Sequence, residues 1–204
     1  MNFVLASASP RRYEILTGLG LDVSVKVSDV NEDSVITDPA SLTEELARRK
    51  ATAVAKTLGD TDKTAIIACD TVVVCDSYIL GKPSDETEAA RMLRMLSGRE
   101  HSVVSGICVI SGGKTVTAHE TTAVRFTEMT ENDISTAVML GEPLDKAGAY
   151  AIQGIASLFI EGINGDYFNV VGLPVNLLCK TLRDEFSIDI CKYLNGGKLP
   201  WVKK

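Results

Sequence analysis

One acidic residue interrupts an otherwise apolar, β-branched run: Asp70, within Ala68-Cys69-Asp70-Thr71-Val72-Val73. A carboxylate in such surroundings is costly unless it meets a metal, a cation or water. Asp70 is therefore the first candidate for chemistry, with a structural ion pair as the alternative. Nearer the N-terminus, Ser7-Ala8-Ser9-Pro10-Arg11-Arg12 joins a short apolar run to a helix start. Helix-start N–H groups, the hydroxyls of Ser7 and Ser9, and the guanidinium groups of Arg11 and Arg12 could cradle phosphate. A capped helix with two solvated arginines fits the same residues equally well. Gly81-Lys82-Pro83 adds a turn lysine, a compact point charge suited to phosphate. Further on, Asp145-Lys146-Ala147-Gly148-Ala149-Tyr150-Ala151-Ile152-Gln153-Gly154 offers the Gln153 amide, which can donate and accept at a base edge.

Composition narrows what these groups can serve. The formal charge is −6, so the surface as a whole repels nucleic acid and acidic membranes, and an anion site needs local clusters of cations. Only His101 and His119 are present, which disfavours a histidine triad or a multi-histidine metal centre. Neither GxxxxGK[ST] nor GxGxxG occurs. The five cysteines are scattered without CxxC spacing and read as reduced thiols. No N-terminal leader and no membrane-length apolar run is recognisable, so a cytoplasmic protein is expected.

Positioning these groups requires alternating strands and helices. Apolar runs at residues 3–6 and 64–75 read as buried strands, and residues 22–28 as a half-buried one. Helices are expected over residues 10–19, over 41–58 behind a Ser41/Glu44 capping box and containing Lys50, after Ser84, over 130–140, and from Pro174 to about Arg183. Residues 101–110 and 114–126 flank Gly112-Gly113 as a hairpin. Residues 145–172 are glycine-rich and suggest strands with tight loops. Residues 1–186 form one expected domain, and 187–204 a loosely held tail.

In order, SASPRR, ACDTVV, GKP, LSGREHSV, DKAGAYAIQG and GDYFNVVGLP resemble the Maf family of nucleoside triphosphate pyrophosphatases, from about Val4 to Leu182. DKAGAYAIQG is similar to the branch acting on dTTP and UTP, as opposed to 7-methyl-GTP. The resemblance implies an elongated single-domain α/β fold with a mixed twisted sheet flanked by helices, similar to inosine triphosphate pyrophosphatases and often a homodimer. It also implies cleavage between the α- and β-phosphates with a divalent cation, Mg²⁺ or Mn²⁺. Its proton acceptor falls on Asp70, and its specificity positions fall on Arg12, Thr71 and Gln153. Where family members carry adjacent carboxylates, this chain has Asn31-Glu32, leaving Glu32 beside Asp70 as a metal ligand.

Charge logic and resemblance together give a mechanism. Asp70 orients or deprotonates water, while Arg11, Arg12, Lys50 and Lys82 stabilise charge on the triphosphate. The nucleoside triphosphate is the expected partner, with no nucleic acid or membrane. A nucleotide-sensing regulator of cell division without turnover, or a nucleotidyl or phosphoryl transferase, would use the same pocket.

Overall fold

The computed structural model describes residues 1–140 and 143–195. Strands β1 (Asn2–Leu5), β2 (Val23–Val25), β3 (Thr64–Cys75), β4 (Tyr78–Leu80), β5 (Glu100–Ser111), β6 (Lys114–Phe126) and β7 (Ile160–Asn164) form one sheet. Its order is β2-β1-β3-β5-β6-β7, with β4 paired to β3. Strand β1 runs parallel to β2 and β3, whereas β3–β4 and β6–β7 are antiparallel, so the sheet is mixed. Helices α1 (Pro10–Gly18), α2 (Pro39–Leu58), α3 (Glu86–Leu96), α4 (Glu131–Leu140), α5 (Tyr167–Val171) and α6 (Val175–Phe186) flank it. This is the α/β class with a mixed sheet that the family resemblance implies.

The helix starts differ from expectation in an instructive way. Asp38, not Ser41, caps α2, its carboxylate accepting from the Ser41 N–H at 2.8 Å. Pro39 follows at the first helical position, where a missing N–H costs nothing. Glu44 is thereby released from any capping box and instead accepts from Thr117 at 2.6 Å. Asp85, not Ser84, caps α3, accepting from the Glu88 N–H at 2.8 Å. The glycine-rich stretch expected as strands holds short 3₁₀ turns, the single strand β7 and the helix α5.

The chain falls into two compact units, one comprising residues 1–70, 106–119 and 172–204, the other 71–105 and 120–171. Each has its own apolar core. In the first, Val4 and Ala6 pack with Ala47, Ala51 and Val54 of α2 and Ile66 and Ala68 of β3. In the second, Leu93 and Leu96 of α3 meet Val73, Phe126, Ile134 and Tyr150. Within the first unit α2 lies so close to β5 that a Cβ on Gly106 would sit 2.3 Å from the Glu44 nitrogen. Glycine at 106 therefore sets how near the helix carrying Lys50 can approach the strand.

Residues expected to form a loose tail are docked as far as Asn195. The Tyr193 ring packs edge-on against Phe3 at 5.3 Å, Leu194 bridges to Leu21, and the Asn195 N–H donates to the Gly20 carbonyl at 2.8 Å. The remainder of the expected tail, 196–204, lies outside the described residues.

Candidate active site

Asp70 sits on β3 and is 8% exposed, and its partner is Lys50. Lys50 projects from α2 and places its Nζ 2.6 Å from Asp70 Oδ1. The same ammonium lies 2.9 Å from Glu32 Oε1. Lys50 and Asp70 side chains are only 13% and 12% exposed, whereas Glu32 is 56% exposed. The cation that satisfies the buried carboxylate is thus shared with a carboxylate at the surface. The ammonium thus joins a carboxylate on a strand and one in the segment before α2.

The Ser7–Arg12 segment is organised by side chains, although not by a serine cap. Ser9 occupies the N-cap of α1 with extended backbone, but its hydroxyl makes no capping bond. Ser7 performs the ordering: its buried hydroxyl accepts from the Ser9 N–H at 3.2 Å and from Arg12 Nη1 at 3.1 Å. Arg12 Nε donates to the Gly172 carbonyl at 2.8 Å. That carbonyl also receives the Cys69 thiol at 3.3 Å. Arg11 is half-buried in the first turn of α1.

The remaining expected residues belong to the second unit. Successive strand residues face opposite ways, and the two neighbours on β3 accordingly take different partners. Asp70 turns to Lys50, while Thr71 Oγ1 lies 2.8 Å from the Ser105 hydroxyl. Ser105 in turn donates to the Asn169 carbonyl at 3.4 Å. Lys82 is exposed on the turn after β4, and the Gly81 carbonyl before it accepts from the Gly148 N–H at 3.0 Å. Gly148, with φ +66°, is required there, because a Cβ would meet Val73 at 2.8 Å. Gly81 is not required in this way, since a Cβ there meets nothing within 4 Å. Gln153 is exposed in the turn before Gly154, and no described residue holds its amide by a hydrogen bond.

Sequence reasoning missed the Gly172 carbonyl, Cys69 and Ser105. Gly172 does fall within the GDYFNVVGLP motif, but a backbone acceptor carries no residue-type signature. Cys69, beside Asp70, reads as core filler.

A family model described as Maf-like protein matches residues 2–185. The chain belongs to the Maf family. A relative in Thermococcus onnurineus (strain NA1), named dTTP/UTP pyrophosphatase, is 49% identical over 185 residues, covering 91% of this chain and 98% of the relative. A second of the same name, from Bacillus cereus (strain G9842), is 46% identical over 188 residues, 92% of this chain and 96% of its own length. The six ordered motifs lie inside the matched span, and so do all the expected site residues of this Maf protein. Among the described residues no helix is long and apolar enough to cross a membrane.

Proposed function

We propose that this Maf protein hydrolyses nucleoside triphosphates, dTTP and UTP foremost, between the α- and β-phosphates, releasing nucleoside monophosphate and pyrophosphate. Support comes from the names of its relatives and, above all, from the buried Asp70 carboxylate held at 2.6 Å by Lys50.

Water supplies the oxygen, the phosphorus–oxygen bond of the α–β bridge breaks, and pyrophosphate departs with the electron pair. Asp70 orients the water and takes its proton. Lys50, Lys82, Arg11 and Arg12 bind the phosphates and offset the charge that grows on the leaving group. Ser7 and Ser9 lend hydroxyls to the same cradle, and Ser7 already fixes the Arg12 fork. Arg12, Thr71 and Gln153 select the base.

The donor set suits Mg²⁺ or Mn²⁺. Asp70 and Glu32 converge on one cation already, and Mg²⁺ is commonly held by one or two carboxylates plus substrate phosphates. Among the described residues no group of three or more His, Cys, Asp or Glu could hold a metal by itself. When bound, such an ion neutralises phosphate charge and lowers the pKa of water. We place the enzyme in the cytoplasm as a homodimer without nucleic-acid or membrane partners, and light scattering tests the dimer.

The function test is incubation with dTTP, UTP, CTP, ATP, GTP and 7-methyl-GTP plus Mg²⁺, with pyrophosphate and orthophosphate assayed separately. Equimolar monophosphate and pyrophosphate from dTTP and UTP is expected. Binding without turnover would favour a nucleotide-sensing regulator of cell division, a transferred product would indicate a nucleotidyl or phosphoryl transferase, and orthophosphate would move the cleaved bond.

A further inference from the structure

The assignment of Asp70 and Glu32 to a divalent cation meets a conflict inside the protein. Both carboxylates are already engaged by the Lys50 ammonium, at 2.6 and 2.9 Å. Mg²⁺ reaches carboxylate oxygens at about 2.0–2.1 Å, so on the same two oxygens it would lie beside a positive charge. That charge is mostly buried, where screening by water is weak. The two cations cannot share the carboxylates without strong repulsion.

Lys50 is nonetheless able to leave. Its long stem carries a point charge with three donors, and phosphate oxygens offer it alternative partners. Glu32, more than half exposed, is the looser of its two contacts, while Asp70 stays fixed on β3. We infer that Lys50 is a built-in stand-in for the metal: without nucleotide it occupies the place between Asp70 and Glu32, and it yields that place when phosphates draw the ammonium away. This rests on the reading that Asp70 and Glu32 hold the metal. Its consequence is that metal and nucleotide bind with positive coupling, each raising the affinity for the other.

The test is Mn²⁺ titration of the nucleotide-free full chain, read from the electron paramagnetic resonance signal of free Mn²⁺. Lys50→Met should bind Mn²⁺ more tightly than wild type, by a factor within the roughly 5–150-fold range of ordinary coupling energies. Lys50→Arg, which keeps a cation, should stay as weak as wild type. Adding Asp70→Asn to Lys50→Met should remove the gain. Lys50→Gln provides the same measurement if circular dichroism shows that the methionine variant does not fold. A neutral Lys50 variant binding no tighter than wild type would overturn the inference, as would a gain that survives Asp70→Asn. The metal assignment is tested apart from it: with a non-hydrolysable dUTP analogue present, Mn²⁺ affinity unchanged by Asp70→Asn would show that Asp70 is not a ligand.

Discussion

Arg12 Nε donates to the carbonyl of Gly172 at 2.8 Å, tying the first helix to a residue 160 positions later in the chain. With Nη1 on Ser7 as well, the guanidinium plane is held at two corners. A lysine cannot reproduce that, having one nitrogen and no plane.

Arg12→Lys should therefore lower kcat/KM for dTTP by about tenfold or more despite keeping the charge, since a loosened phosphate or base contact costs roughly 1.4 kcal/mol per decade. Steady-state kinetics checks this, and a lysine variant with wild-type kcat/KM would remove Arg12 from the site.

Asp70→Asn should reduce turnover at least about a hundredfold, because it deletes the proposed proton acceptor while keeping the shape. Its effect on stability reverses what the apolar strand alone suggests. From the sequence, removing a buried charge would be expected to raise the melting temperature. Lys50 changes the sign: asparagine can still accept from the mostly buried ammonium but removes the nearer of its two negative partners, at a cost of about 1–3 kcal/mol. Calorimetry decides, and a higher melting temperature would contradict this account.

Gln153→Ala should lower the preference for dTTP and UTP over CTP by about 10–200-fold at most. A rigidly held amide could reject the wrong base far more strongly, but Gln153 is exposed and no described residue fixes its orientation. The check is kcat/KM across the nucleotide panel, and an unchanged ranking would take Gln153 out of base selection.

His101 makes stability depend on pH. It is 3% exposed, its Nε2 lies 2.7 Å from the Tyr150 oxygen, and burial pushes its pKa down to about 4 from 6.5. A depressed folded pKa means the unfolded chain takes up the proton first as pH falls. Stability from this group is fully present above about pH 6.5, falls between 6.5 and 4, and levels off below, by about 3 kcal/mol at most. Denaturant midpoints from pH 4 to 7.5 should decline for wild type and decline less for His101→Gln. Parallel profiles would show that His101 does not titrate in that window.

The strand bearing Asp70 was legible as a long β-branched apolar run, and the long helices from their start signals and apolar faces. Caps were less so: Ser41 and Ser84 are capping residue types, yet Asp38 and Asp85 stand nearby and win with an ionised acceptor. The three-residue strand β4 and the five-residue helix α5 are too short for a period to register. The cations proposed to bind phosphate could be named from residue type, but not the Glu32–Lys50–Asp70 cluster, which joins a loop, a helix and a strand. Nor could the docking of Tyr193 on Phe3 be read, since that contact joins residues 190 positions apart in sequence.

The interleaving of the two units sets an order of events during synthesis. The unit holding Asp70 and Lys50 begins with Met1 but is completed by residues after Gly172, among them Leu173, Leu178 and Leu182, all fully enclosed. A ribosome that has made the first 171 residues has delivered every segment of the other unit and left this one open. The unit carrying the proposed proton acceptor must therefore wait for α6. A nascent or truncated chain stopping short of α6 would hold the Asp70 strand without the leucines that close its core.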